Sequence, residues 1–111
     1  MENKNKDKIL NLIGLSTRAR KVSTGTDIVI TSIQKKVAQI VFLASDASLE
    51  TIKKVEDKCN YYNVACIKLF NTVELNNACG KNNIKVLSIN DKGFYESVVA
   101  LIWKKRCQNE G

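Results

Sequence analysis

The sequence predicts an α/β domain in which a β-sheet lies between two layers of helices. Segments with apolar residues at helical spacing alternate along the chain with short runs of strand length, as in three-layer α/β/α sandwich domains. One such run, Ile40–Ala44, is apolar throughout, which is expected of a strand that is buried on both faces. The 111 residues are 44% hydrophobic and suffice for one core, so we expect residues 1–111 to form a single domain.

The first third of the chain predicts two helices joined by a short extended segment. We expect the first helix over Asp7–Arg18 and the extended segment at Val22-Ser23. Gly25 and its polar neighbours are residue types that begin helices, so a second helix is expected from this turn to about Lys36. One face of that helix carries Val29, Ile33 and Val37, and can be buried. The other face, which stays available to a partner, carries Ile28, Thr31 and Lys35.

The middle of the chain predicts a third helix and a second strand. Ser48 is a residue type that caps helices, and the helix that follows has apolar residues at core spacing. These residues are Ile52, Val55, Cys59 and Tyr62. The strand is expected over Val64–Leu69, where the apolar content rises again.

The last third predicts two helices around one strand. Asn71–Glu74 has the spacing of a capping box and opens a short fourth helix, which ends before Gly80. A third strand is expected over Lys85–Ile89. Asn90 or Asp91 then caps the last helix, because both residue types favour that position.

The turn before the second helix is also a candidate anion site. Backbone N–H groups at a helix start have no acceptor within the helix, and they coincide with the positive end of the helix dipole. The basic run Arg18–Lys21 leads into this turn. An ordinary helix start on a protein surface is the alternative interpretation.

The charge of the chain favours a polyanionic partner. Eighteen basic residues against eleven acidic ones leave a net charge of +7. Such an excess is typical of proteins that bind nucleic acid, although a basic surface can also serve solubility alone.

The residue types speak against an enzyme. The chain has no histidine, so Ser–His and Cys–His pairs and zinc-bound imidazoles are excluded. Neither glycine-rich phosphate motif is present. The four cysteines form no C-x-x-C pair, so we expect free thiols, no metal and no cofactor. They are Cys59, Cys66, Cys79 and Cys107.

The sequence predicts a cytoplasmic protein without a membrane segment. No apolar run approaches the roughly 18–20 residues that a membrane span needs. The first residues are charged and lack the apolar core of a signal peptide.

Several blocks of the sequence resemble one known family. In order along the chain they are Thr24–Asp27, Ala38–Ala47, Lys58-Cys59 and Glu74–Gly80. They are similar to the kink-turn RNA-binding family of ribosomal proteins, the L-seven-Ae / L-thirty-e type. Leu12–Lys21 and Asp57–Tyr62 resemble the bacterial YlxQ-type branch of that family. The resemblance covers residues 8 to 103, nearly the whole chain.

The resemblance implies a sandwich around a mixed four-stranded sheet, and an RNA partner. Family members grip sharply bent RNA at tandem sheared G·A pairs, so the expected partner is a structured RNA, either kink-turn-like or ribosomal. A single copy of the chain is expected when no RNA is bound. Neither a cofactor nor a membrane is implied.

The resemblance also assigns the residues that would contact RNA. The family pattern Gly-x-Asn-Glu-x-x-Lys is read here as Gly25-Thr26-Asp27-Ile28-Val29-Ile30-Thr31. Lys35, one turn further on, can meet a phosphate. The loop Lys81-Asn82-Asn83 corresponds to a family loop that braces a flipped-out nucleotide. Ile52 matches a further apolar contact, with a core position as the alternative. The predicted RNA-binding residues are Gly25, Thr26, Asp27, Ile28, Thr31, Lys35, Lys81, Asn82 and Asn83.

Three positions of this pattern depart from the family. Asp27 stands in place of Asn and cannot donate to a guanine carbonyl oxygen, and Ile28 stands in place of the accepting Glu. Thr31 stands in place of Lys. We therefore expect weaker selectivity for kinked RNA than the family pattern provides. The alternative function is protein binding through an exposed Ile28, with the positive charge incidental.

Overall fold

In this computed structural model, five helices alternate with four strands in the part of the chain that is described, namely the backbone of residues 3–110 and the side chains of residues 5–102. The elements are α1 (Asn3–Arg18), β1 (Val22–Thr24), α2 (Thr26–Gln34), β2 (Ile40–Leu43), α3 (Leu49–Tyr62), β3 (Ala65–Ile67), α4 (Thr72–Cys79), β4 (Val86–Ile89) and α5 (Lys92–Glu110). The predicted α/β fold is confirmed. The extended segment predicted at Val22-Ser23 is the first of the four strands.

The strands form one mixed sheet in the order β1–β4–β2–β3. β4 is antiparallel to both of its neighbours, whereas β2 and β3 are parallel to each other. β1, β2 and β3 therefore run in one direction and β4 runs in the other. One end of the sheet is made of the last residues of β1, β2 and β3 and the first residue of β4. The opposite end is made of the first residues of β1, β2 and β3 and the last residue of β4.

The helices cover the sheet in two groups. α1 packs against α4 and α5, and α2 packs against α3. At the α1–α4 contact, a Cβ on Gly14 would lie 3.2 Å from the carbonyl oxygen of Ala78, so a side chain there would require the two helices to move slightly apart. Every residue of β2 and β4 is buried, as predicted for a central strand. Each aliphatic side chain buried in this way contributes about 1.5–3 kcal/mol to stability.

Three elements depart most from their predicted boundaries, and the first is α1, which begins at Asn3 where Asp7 was expected. α2 ends at Gln34, not near Lys36, because Lys36 adopts the left-handed conformation with a φ of 63°. Val37 therefore lies beyond the helix and is 45% exposed, where burial was expected. β3 pairs only through Ala65–Ile67, since this edge strand has β2 as its single neighbour.

The predicted helix caps are confirmed at α3, α4 and α5. The Ser48 hydroxyl accepts from the backbone of α3, and Asn71 and Glu74 make the complete capping box of α4. Asp91 caps α5 by accepting from the N–H of Phe94 at 2.9 Å. Asn90 does not share this role, because its amide is engaged elsewhere.

Asn90 joins a polar network between β1, α2 and β4. Its side-chain N–H donates to the Ser23 hydroxyl at 2.8 Å, and its side-chain carbonyl accepts from Ser88 at 2.9 Å. Ser23 in turn lies 2.8 Å from the Ser32 hydroxyl of α2. Ser32 and Ser88 are buried, and these hydrogen bonds replace the water that burial removes.

The cysteines are free thiols, as predicted, at the three positions whose side chains are described. Cys59 and Cys79 are buried and Cys66 is partly buried. A hydrogen bond with the neighbouring Cys66, together with burial, raises the pKa of the Cys59 thiol. Cys107 lies outside the described side chains. These thiols pack as small apolar groups.

Candidate nucleic-acid interface

The turn between β1 and α2 leaves the start of α2 open. Gly25 has a φ of 95° and a ψ of 145°, a conformation that L residues rarely adopt, and no side chain caps the helix. The first backbone hydrogen bond of α2 runs from the N–H of Val29 to the carbonyl of Gly25 at 2.9 Å. The N–H groups of the residues between them therefore face out of the helix start, where the dipole is positive.

The loop before β4 lies beside this turn. The N–H of Gly25 donates to the carbonyl of Val86, the first residue of β4, at 3.0 Å. Residues 80–85 lead directly into that position. The predicted loop residues Lys81, Asn82 and Asn83 are all exposed. The structure thus brings the predicted turn and the predicted loop together at one end of the sheet.

Asn76 of α4 holds this loop in shape. Its side-chain oxygen accepts from the N–H of Ile84 at 2.8 Å, and its backbone carbonyl accepts from the N–H of Lys81 at 3.2 Å. Gly80 and Asn83 both adopt positive φ angles, of 68° and 60°. The loop is therefore a defined backbone turn with its polar side chains directed at solvent.

A second brace joins the turn after β2 to the start of α4. The Asp46 carboxylate accepts from the Thr72 backbone N–H at 2.9 Å and from its hydroxyl at 2.7 Å. These hydrogen bonds, from the hydroxyl above all, lower the pKa of Asp46 below the ordinary 3.8. Lys85 also donates to the Thr72 hydroxyl, at 3.1 Å. Three connecting segments are tied together in this way at the same end of the sheet.

We call this surface the glycine end; it comprises residues 25–28, the turn 44–48 and the loop 80–85. α2, α3 and α4 all begin here, after β1, β2 and β3 respectively. Three large apolar side chains are exposed on the first turns of these helices: Ile28 at 60%, Leu49 at 85% and Val73 at 64%. The glycine end therefore combines helix starts, polar loop residues and apolar contacts.

The three positions that depart from the family pattern lie on the open side of α2. Asp27 is 93% exposed at its side chain and forms an ion pair with Lys54 of α3, with 3.6 Å between Oδ1 and Nζ. Thr31 is also exposed, and its hydroxyl donates to the carbonyl of Asp27 at 3.0 Å. Together with Ile28 these side chains are accessible to a partner, as predicted.

Lys35 and the basic run do not join the glycine end. Lys21 precedes β1, and its carbonyl accepts from the N–H of Asn90 at 2.7 Å, just beyond the last residue of β4. α2 runs back along the sheet, so that Lys35 and Lys36 lie near the start of β2, where Gln39 donates to Ile89 at 2.8 Å. These residues occupy the opposite end of the sheet, which we call the cationic end: Arg18, Arg20, Lys21, Lys35 and Lys36.

Ile52 is half-buried and packs against the core. Sequence reasoning missed Asn76, Leu49 and Lys54 as neighbours of the site. Asn76 precedes the loop by only a few residues, and an Asn before a polar turn is a recognisable bracing signal. The pairing of Lys54 with Asp27 had no local signal, because it depends on how α2 packs on α3.

Two kinds of feature are not found among the described residues. No group of three or more His, Cys, Asp or Glu side chains could hold a metal ion. No helix is long and apolar enough to cross a membrane.

In comparisons with known proteins, the chain is similar to the members of one protein family. The sequence model of the family described as "Ribosomal protein L7Ae/L30e/S12e/Gadd45 family" matches residues 7–99. A protein of Enterococcus faecium named RNA-binding protein YlxQ is 45% identical over 102 residues, which is 92% of this chain and 98% of that protein. A Bacillus subtilis (strain 168) protein of the same name is 43% identical over 91 residues, which is 82% of this chain and 91% of that protein.

Solved structures agree on the fold. A Bacillus halodurans C protein described as having unknown function superposes with a TM-score of 0.81 at 38% identity, covering 86% of this chain and 96% of that one. The Giardia lamblia 15.5kD RNA binding protein superposes with a TM-score of 0.79 at 21% identity, covering 95% of this chain and 89% of that one. At that identity the second likeness concerns the fold alone.

Proposed function

Because this chain belongs to the Ribosomal protein L7Ae/L30e/S12e/Gadd45 family, we propose that it is an RNA-binding protein whose glycine end receives a sharply bent RNA. The predicted RNA-binding role is confirmed at the level of the family and of two relatives named RNA-binding protein. The bent shape of the RNA, a ribosomal origin, a single-domain monomer, a cytoplasmic location and the absence of catalysis are parts of the proposal.

The main support for this proposal is the open start of α2. The positive φ of Gly25 removes any side chain from the turn, so that a partner can reach the N–H groups that follow. The braced loop 80–85 stands beside it with three exposed polar residues. A bend in RNA opens the edges of its bases to groups of this kind, whereas a regular A-form helix presents only a shallow groove.

The selectivity for bent RNA is expected to be modest. Asp27 offers only acceptors, and Lys54 offsets part of its charge across 3.6 Å. Ile28 offers no hydrogen bond, so a guanine group that faces it loses water without replacement. The site therefore relies on shape, on backbone N–H groups and on the loop more than on base readout.

Protein binding is the second candidate, and a specific observation favours it. Ile28 and Leu49 expose most of their side chains at the same end of the sheet, and exposed apolar groups of this kind are common in protein interfaces. A basic partner is disfavoured by the net charge of +7.

A titration with two RNAs tests the proposed function. The wild-type protein is measured against an RNA with tandem sheared G·A pairs and against a straight duplex of equal length, at one salt concentration. Ile28→Asp places a negative charge on the exposed face of the glycine end and should weaken binding of the kinked RNA by about fivefold, as a unit charge about 4 Å from a phosphate does in water. Asn11→Asp adds the same charge on α1, outside the glycine end, and serves as the matched control.

Two results would contradict the proposal. If Ile28→Asp binds the kinked RNA as well as Asn11→Asp does, RNA does not enter at the glycine end. If the wild-type protein binds neither RNA, the protein-binding candidate takes its place.

A further inference from the structure

Of the three helices that finish at the cationic end, α1 and α2 have a basic residue in the left-handed turn that ends them, whereas α3 has Asn63 there. Arg20 after α1 and Lys36 after α2 both adopt the left-handed conformation, with φ angles of 60° and 63°. In each case the next residue donates back into the helix, Lys21 to Ser16 at 2.9 Å and Val37 to Ser32 at 3.0 Å. Glycine is the usual residue at this position. A long basic side chain there is held by a rigid backbone turn.

Stabilisation of the helix ends does not account for all of these cations. A basic residue in the last turn interacts favourably with the helix dipole, and the effect falls off beyond that turn. Arg18 and Lys35 suffice for this role at α1 and α2. Arg20, Lys21 and Lys36 are additional exposed cations.

The cations of this surface are not matched by acids. Among the residues whose side chains are described, the ion pairs join Lys6 to Glu74, Lys54 to Asp27 and Lys68 to Glu56. None of them involves a residue of the cationic end. Of the neighbouring acids, Asp91 accepts from the backbone of α5, and Glu74, which lines a groove together with Arg18, is paired with Lys6. A multivalent anion is the partner that such a surface attracts.

Aromatic rings lie at the same end of the sheet. α3 finishes there, and Tyr61 on its last turn is 79% exposed. The neighbouring Tyr62 holds that ring edge-to-face, with 4.8 Å between centroids and 74° between planes. Tyr62 also lines a pocket of about 300 Å³ together with Lys36 and Tyr95. An exposed ring fixed by a second ring offers a flat stacking surface at low entropic cost.

We propose that the cationic end is a second RNA-binding surface, which takes an unpaired segment through its phosphates and through base stacking on Tyr61. Cations that track a backbone beside aromatic rings are the usual means of binding single strands. A base can stack on a tyrosine only when it has left its own helix, so the segment must be unpaired. The aromatic ring distinguishes this partner from an acidic peptide, which would use the charge alone.

The inference rests on the proposed function in one respect, that the unpaired segment flanks the RNA held at the glycine end. The two surfaces are separated by α2, whose nine residues correspond to about 14 Å. The cationic end spans the four strands of the sheet, about 14 Å across. A flanking strand can therefore leave the glycine end, follow α2 and cross the cationic end.

The test uses a short single-stranded oligouridine and a blunt-ended kinked RNA. Arg20→Asn combined with Lys36→Asn removes two charges while keeping a residue that tolerates the left-handed conformation. Tyr61→Ala removes an exposed ring, so its fold is retained. Lys8→Gln removes one charge on α1, outside both surfaces, and is the control. Thermal unfolding verifies each variant.

The double variant should bind oligouridine at least about fivefold more weakly than the wild-type protein. It should also reduce the magnitude of the slope of log affinity against log salt by about 1.4, because each phosphate contact on a single strand contributes about 0.7. Tyr61→Ala should also weaken oligouridine binding by about fivefold or more. Lys8→Gln should change it by less than about twofold. Blunt kinked RNA should bind all four proteins alike.

Three results overturn this proposal: no binding of oligouridine by a wild-type protein that binds kinked RNA, unchanged oligouridine binding in the double variant, or equal binding of polyglutamate. Loss of oligouridine binding in the variants supports it even if the kinked RNA does not bind at all. In that case the function proposed for the glycine end is refuted, whereas the proposal that the cationic end binds an unpaired RNA segment is supported.

Discussion

The two ends of the sheet offer positive potential to a partner by different means. At the glycine end three helices begin, so the positive ends of three helix dipoles lie there, and at α2 the first backbone N–H groups are also left uncapped. At the cationic end three helices finish, α1, α2 and α3, and α5 begins, so the helix dipoles together contribute negative potential there. Five basic side chains reverse it: Arg18, Arg20, Lys21, Lys35 and Lys36.

This difference follows from the direction of the strands. Because β1, β2 and β3 run the same way, the helices that follow them all begin at one end. α2 and α3 run to the other end, whereas the short α4 leads through residues 80–85 into β4 at the glycine end. A surface made of helix starts can attract an anion with few cations, even when it carries an acid such as Asp27. A surface made of helix ends must carry cations to attract an anion. Two chemically distinct surfaces thus arise from one topology.

Salt dependence should separate the two ends most clearly. A blunt kinked RNA that reaches only the glycine end meets one or two accessible cations, so its slope of log affinity against log salt should be about −1 to −2. With a single-stranded tail that reaches the cationic end, three to five contacts should steepen the slope to about −2 to −4. A fourfold rise in salt would then weaken the tailed RNA by about 16- to 250-fold. Equal slopes for both RNAs would show that the ends do not act separately.

Restoring the family pattern should strengthen the glycine end alone. The triple variant Asp27→Asn, Ile28→Glu, Thr31→Lys replaces three exposed side chains on one helix face. Each good bidentate base contact is worth about 1–3 kcal/mol, so preference for kinked RNA over a straight duplex should rise at least tenfold. Competition titrations at one salt concentration measure this preference. A wild-type protein that already matches the triple variant would refute our interpretation of the three departures.

Substitutions of the two glycines at the glycine end should lower the free energy of unfolding by different amounts, because the backbone conformations of the two residues differ. Gly25→Ala should cost about 1–3 kcal/mol of unfolding free energy, because its φ of 95° and ψ of 145° suit glycine almost alone. Gly80 has a φ of 68° and a ψ of 29°, which asparagine tolerates. Gly80→Asn should therefore fold with little loss, whereas Gly25→Asn should not.

Urea unfolding of the three variants measures these costs. An ideal Cβ meets no atom within 4 Å at either glycine, so a difference between the two sites reports backbone strain and not steric overlap. Equal losses for Gly25→Asn and Gly80→Asn would contradict the argument.

The smallest expected effect concerns the Asp46 brace and its dependence on pH. Hydrogen bonds from Thr72 lower the pKa of Asp46 in the folded protein, so its contribution is present above the unfolded value of 3.8. That contribution is lost as the pH falls through the folded pKa. The stability difference between wild type and Asp46→Ala should therefore be seen at neutral pH and fade in acid below 3.8.

Thr72→Val supplies the matching control, because it removes the hydroxyl donor and leaves the backbone donor in place. The carboxyl pKa of Asp46, followed by NMR titration, should move back toward 3.8 in this variant. An unchanged pKa would show that the hydroxyl is not the main cause of the shift.

The sequence by itself determined the class of fold and most element positions. Local signals sufficed for this, since Ser48, the Asn71–Glu74 box and Gly80 act on neighbouring backbone groups. The fully apolar run of β2 predicted its burial. The resemblance to a known family then predicted the mixed sheet and the RNA-binding role. The choice between Asn90 and Asp91 as the cap of α5 stayed open, because both side chains have the same local chemistry.

Only the tertiary structure decided which predicted residues share a surface. Gly25 and Lys81 are 56 positions apart in the chain and lie at the same end of the sheet because β1 pairs with the late strand β4. Lys35, ten positions from Gly25, lies at the other end because α2 runs back along the sheet. Strand order and direction depend on the packing of the whole core, and no local pattern reports them. The ion pair of Asp27 with Lys54 has the same origin, since it joins two helices that meet only when the sheet is complete.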